Sequence, residues 1–103
     1  MIRVPKNRAP IHPGEMLAEE FLAEYGISQT ELAHRIGVPF QRINLLIHRK
    51  RGITPDTALR LARFFDSTPE FWLNMQLRWD LYQEMHSPRA AQIEKIVPVN
   101  RAA

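Results

Sequence analysis

Gln41, Asn44 and His48 stand at i, i+3 and i+7 in the run PFQRINLLIHRKR, with Phe40 and Leu45 beside them. On a helix they share one face. Glutamine and asparagine each offer a donor and an acceptor together, the pair that matches adenine N6 and N7 in a major groove. Phe40 can lie against thymine methyls, or equally pack within the protein. Arg42 can pair with guanine, and Arg42, Arg49, Lys50 and Arg51 can neutralise phosphates. Gln29 stands at the first turn of the preceding helix, where a side chain and a helix N-terminus together hold a phosphate; Thr30 is a weaker candidate. This is the chemistry of nucleic-acid recognition. Catalysis finds little support. His12, His34, His48 and His86 are scattered, and there is no HExxH, GxSxG, P-loop or GxGxxG. With no cysteine there is neither a thiolate nucleophile nor a cysteine zinc site. The residues point to no enzyme, no metal and no cofactor.

The stretch from Ser28 to Arg51 must position these groups. Ser28 and Glu31 form a capping box for helix two, and Ile27 and Leu32 a hydrophobic staple. Leu32, Ala33 and Ile36 make its apolar stripe, and Gly37 supplies a left-handed C-terminal residue. Val38 plugs the turn, and Pro39 presets the start of helix three, whose inward side is Ile43, Leu46 and Ile47. A small alanine, a glycine four residues on and a β-branched residue six further on are the helix-turn-helix pattern. The bland alternative is an αα-hairpin whose polar face is merely solvated. Charge favours the first reading. From Pro13 to Ala33 the charged residues are Glu15, Glu19, Glu20, Glu24 and Glu31. From Pro39 to Phe64 they are Arg42, Arg49, Lys50, Arg51, Arg60 and Arg63 against a single Asp56. A polyanion would meet the second region and be repelled by the first.

At 103 residues, with 45% hydrophobic and 24% charged, the chain has the size and composition of one domain with a single modest core. Its expected division is a basic arm over 1–12 carrying Arg3, Lys6 and Arg8, a helical core over 13–86, and a tail over 87–103. Helix one starts at Pro13, with Leu17, Phe21 and Tyr25, and Ala18 and Leu22 beside them, as its core stripe and Gly26 as its stop. Thr54-Pro55-Asp56 and Ser67-Thr68-Pro69-Glu70 start helices four and five. Ala58, Leu61, Ala62 and Phe65 form the inner stripe of helix four. Helix five, about Pro69 to Met85, carries two apolar stripes: Trp72, Met75, Trp79 and Tyr82, and Leu73, Leu77, Leu81 and Met85. A helix apolar on two sides is buried on two sides, which suggests a homodimer formed through the first stripe. The competing reading is one larger core with the tail folded over it. In the tail, Ile93, Ile96, Val97 and Val99 suit a short strand or a flap limited by Pro98. No segment has the length or apolarity of a membrane span or signal peptide, so a cytoplasmic, all-α protein of five helices is expected.

The runs IHPGEMLAEEF, SQTELAHRIGVP, GITPDTALRLARFF and STPEFWLNMQ resemble HigA-type antitoxins, a branch of the phage-repressor-like helix-turn-helix proteins. The likeness covers about residues 11 to 82, and HPGE, ITPDTALRLA and TPEFWLN are specific to that branch. It implies a dimer that binds a palindromic operator in its own promoter and neutralises a HigB-like toxin, a small ribonuclease that cuts mRNA on the ribosome. Two departures fall on the reading face. Phe40 and Gln41 replace a small or basic pair, and His48-Arg49-Lys50 replaces Asn-Gly-Lys. Loss of that glycine is expected to lengthen helix three to Gly52.

A toxin that approaches RNA must be basic, so its inhibitor needs acid away from its own DNA face. Glu15, Glu19, Glu20 and Glu24 on helix one offer two i, i+4 ridges, with the arm alongside. Helix five or the tail is the competing toxin site. Two rival functions stand beside the antitoxin: a stand-alone repressor with no toxin, and an adaptor whose helix-turn-helix binds a protein.

Overall fold

Four of the helices begin at a residue whose side chain caps them: His12, Ser28, Thr54 and Thr68. The computed structural model describes residues 9–100, and among them are six helices and no strand. Helix α1 covers residues 13–25 and opens on His12, whose Nδ1 accepts the Gly14 N–H at 2.9 Å. Helix α2 (Gln29–Ile36) opens on Ser28, whose Oγ accepts the Glu31 N–H at 3.0 Å. The Glu31 carboxylate turns to Arg35 at 3.4 Å. Pro39 precedes α3 (Phe40–Ile47), Thr54 caps α4 (Pro55–Phe65) and Thr68 caps α5 (Pro69–Met85). Helices α2 and α3, joined through Gly37 at φ 73°, are the helix-turn-helix. The Val38 N–H closes the turn on the Ala33 carbonyl at 3.0 Å. Residues 1–8, with the basic Arg3, Lys6 and Arg8, lie outside the described residues.

Leu17, Leu32, Ile43, Leu46, Leu61 and Trp72 fill the centre, and α4 packs along α5. None of the described helices is long and apolar enough to cross a membrane.

Four expectations need correction. The first concerns α1, which is α-helical over Pro13–Met16, π-helical over Leu17–Leu22 and α-helical again over Ala23–Tyr25. Its wider turn brings Leu17 and Leu22, five apart, to the core together. Tyr25 is thereby turned outward, 58% exposed, although its ring centroid still lies 5.6 Å from that of Phe65, the two rings tilted by 31°.

The second concerns α3, which stops at Ile47 instead of running to Gly52. Arg49 adopts the left-handed conformation itself, at φ 61°. For a side-chain-bearing residue this costs roughly 1–2 kcal/mol. Arg49 stands where the HigA pattern has glycine, and the chain turns there all the same.

The third concerns the stripes of α5. Trp72 is fully buried and Met75 nearly so, inside this chain's own core. Trp79 is half-buried under His12, and Tyr82 stacks on His86 at 4.1 Å. Trp72 and Met75 therefore cannot form a dimer surface. The side left open is the other stripe, Leu77, Leu81 and Met85.

The fourth concerns the tail, which forms a sixth helix, α6 (Ala90–Glu94), instead of a strand. Ile93, Ile96, Val97 and Val99 are exposed there. Arg89 and Glu84 pair across the break between α5 and α6.

Gly14 sets the closest approach in the fold. A Cβ built on it would stand 1.9 Å from the Leu46 carbonyl oxygen, so the start of α1 rests directly on the end of α3. Gly14→Ala must drive the two backbones apart and should destabilise the protein by about 3 kcal/mol or more, above the usual penalty for overpacking. Urea unfolding of the two chains measures the difference.

Candidate nucleic-acid interface

Helix α3 buries Ile43 and Leu46 and leaves the opposite edge to solvent. Gln41 and His48 are exposed on that edge, Leu45 is partly covered, and Phe40 is 46% exposed at its start. The two remaining polar side chains lie on its flanks, and each is tied to a neighbouring helix. On one flank, Asn44 Nδ2 donates to Gln29 Oε1 of α2 at 3.0 Å. On the other, Arg42 Nη1 donates to Asp56 Oδ2 of α4 at 2.7 Å. Thr30 is exposed beside Gln29 at the N-terminus of α2.

The Asp56 carboxylate is shared. Arg60 Nε reaches both of its oxygens at 3.1 Å, while Arg60 Nη1 donates to the carbonyls of Ile36 at 2.7 Å and Gly37 at 3.4 Å. Arg60 thus satisfies backbone acceptors left over at the C-terminal end of α2, where a cation is also favoured by the helix dipole. Hydrogen bonds from Arg60 and then Arg42 hold the Asp56 carboxyl below the usual range.

Beyond α3 the chain turns through Arg49. Its guanidinium pairs with Glu15 of α1 and lies 5.7 Å over the Trp79 ring. Both contacts offset the strain of its left-handed backbone. Lys50 and Arg51 stay exposed. Gln76 Oε1 then accepts the Ile53 N–H at 2.7 Å, tying the loop after them to α5.

The acidic residues of α1 do not behave as one set. Glu15 is half-buried against Arg49, whereas Glu19, Glu20 and Glu24 are exposed. Asp56 and Glu15 were expected as a first-turn acid and as part of an acidic face, not as pairing partners of the site. The i, i+4 spacing of Asp56 and Arg60 could have suggested their pair. The Glu15–Arg49 pair, 34 residues apart, has no local signal.

His12 was also missed, although a polar residue directly before Pro13 is a cap in form. It is buried, its ring meets Trp79 edge-on at 4.9 Å, and its Nδ1 must be unprotonated to accept from Gly14. Burial first, and then the Arg49 charge, push its pKa below the ordinary histidine value of about 6.5. The folded protein therefore holds His12 neutral at a pH where the unfolded chain already protonates it. Stability from this group is complete above about pH 6.5 and is lost as pH falls from there. Denaturant titrations at pH 7.5 and 5.5 should show that loss in the natural chain. They should show a smaller one in His12→Asn, which keeps an acceptor for the cap but does not titrate.

The family model HTH_3, described as helix-turn-helix, matches residues 19–73. Virulence-associated protein I of Dichelobacter nodosus is 44% identical over 99 residues, which are 95% of this chain and 90% of that protein. Antitoxin HigA-1 of Vibrio cholerae is 41% identical over 76 residues, 74% of this chain and 71% of that protein. The structure of Pseudomonas aeruginosa antitoxin HigA with the higBA promoter superposes with a TM-score of 0.82 at 39% identity, covering 88% of this chain and 99% of that one. Fold and identity along most of its length agree, and the chain belongs to the HigA-type branch of the helix-turn-helix family.

Proposed function

We propose that the protein is a sequence-specific DNA-binding antitoxin that represses its own operon and neutralises a HigB-like toxin. The observation that carries the DNA half is the outer edge of α3, where Gln41 stands free between two flanks tied to the scaffold. A donor-acceptor side chain on a helix held rigidly at both flanks is what adenine recognition in a major groove requires. Phe40 and His48 flank it as apolar and polar readers. Lys50 and Arg51, with Gln29 and Thr30 at the start of α2, supply phosphate contacts.

Two copies bind a palindrome with their recognition helices about 34 Å apart. They meet through Leu77, Leu81 and Met85, the stripe of α5 that this chain leaves uncovered. The toxin half rests on family membership and on charge. Glu19, Glu20 and Glu24 are the free acids of α1, and a basic partner suits them. Glu15 is committed to Arg49 and adds less. The protein works in the cytoplasm, where its promoter and the ribosome-bound mRNA are.

Binding curves on a duplex from its own promoter and on a scrambled duplex, at several salt concentrations, test this reading. Gln41→Ala should lose roughly 1–3 kcal/mol on the promoter and little on the scrambled duplex. Arg51→Ala should weaken both and flatten the salt slope by about one unit. Equal losses for Gln41→Ala on both duplexes would remove it from the reading edge. In the same series, Glu19→Lys with Glu20→Lys should weaken capture of the neighbouring gene's toxin and leave promoter affinity nearly intact. A chain that binds the promoter but no such neighbour is a stand-alone repressor.

A further inference from the structure

Arg42 is the one cation within α3, and arginine is the side chain best suited to guanine. Its guanidinium nevertheless points away from the reading edge, toward the first turn of α4, and only 25% of the side chain is exposed. The carboxylate it meets is fixed. Asp56 lies in the first turn of α4, where the helix dipole favours an acid, and Arg60 anchors it from the same helix at 3.1 Å. Arg60 is anchored in turn on the turn carbonyls of Ile36 and Gly37. A chain of charge-assisted bonds therefore runs from the helix-turn-helix turn, through α4, to the flank of the recognition helix.

Resting on the DNA-binding reading above, we infer that Asp56 is a specificity-determining residue: it holds Arg42 off the base edges, so that the operator is read without an arginine–guanine contact. For Arg42 to swing into the groove, it would have to give up a 2.7 Å ion pair. It would also leave Asp56 less neutralised near the phosphates, where a carboxylate is repelled. Asp56 thereby sets which bases the helix prefers without touching any of them. Recognition is left to Gln41 and its uncharged neighbours.

The test uses the full chain and selection from duplexes randomised across the half-site. Asp56→Asn keeps the size of the side chain and removes its charge. It should gain a preference for guanine at one position per half-site, by between about fivefold and a hundredfold, the range of a bidentate arginine contact. Adding Arg42→Gln to that variant should abolish the gain. An unchanged selected sequence in Asp56→Asn, with binding retained, overturns the inference, as does a guanine preference that survives in the double variant. Loss of all promoter binding by the natural chain would instead sink the DNA-binding reading itself. A second measurement needs no substitution, should Asp56→Asn fold poorly. The guanidinium NMR resonances of Arg42 should keep their shifts when the natural chain binds its promoter duplex. Large displacement of those resonances, as for an arginine moved onto a base, would refute the inference.

Discussion

The missing side chain of Gly14 decides how closely the first helix can approach the recognition helix. It lets the start of α1 rest on the Leu46 carbonyl, at the last turn of the recognition helix. Everything around that contact has one purpose. The His12 ring caps α1 from the buried side and leans on Trp79, Pro13 fixes the first turn, and Glu15 reaches Arg49 just past the end of α3. The HPGE run is thus a joint between two helices. It explains how Arg49 can take a left-handed backbone without being glycine. The ion pair and the Trp79 face hold the side chain, and so the turn, in place.

From that joint the charge of the molecule sorts itself. Of the cations in and after α3, Arg42 and Arg49 are each paired with an acid from another helix, and Lys50 and Arg51 remain exposed. Electrostatic attraction to a polyanion is thereby concentrated at one end of the recognition helix, while the reading edge itself stays uncharged. Phosphate contacts position a protein and base contacts specify its site. In the proposed reading the two roles fall on neighbouring but different residues. The exposed acids Glu19, Glu20 and Glu24 of α1 lie outside that edge, so the chain carries surfaces of opposite charge.

Local signals were legible in the sequence, and long-range ones were not. Ser28, Gly37, Thr54-Pro55 and Thr68-Pro69 mark their boundaries correctly because caps and left-handed turns are decided within a few residues. The end of α3 was misplaced because it depends on Glu15 and Trp79, which no window around Arg49 contains. The π-helical run in α1 was missed because an α-helical stripe through Leu17 and Phe21 looks equally good on paper; only packing against the core selects Leu22 over Tyr25. Helix five displays two apolar stripes, and which one faces inward is a tertiary choice. The sequence pattern offered Trp72 to a second subunit, and the core took it. At the candidate site, Gln41 and His48 were readable from helical spacing, whereas the tethers on Asn44 and Arg42 join helices that only the fold brings together.

The α3 edge, fixed by its neighbours, is the surface we propose to meet DNA. Amide chemical-shift mapping of the full chain titrated with a duplex from its own promoter tests it most directly. Changes should concentrate at Phe40, Gln41 and Leu45, at the N-terminus of α2 and at Lys50 and Arg51, with Glu19, Glu20 and Glu24 little affected. Changes centred on α1, or on the open stripe of α5 and helix α6, with α3 silent, would contradict it.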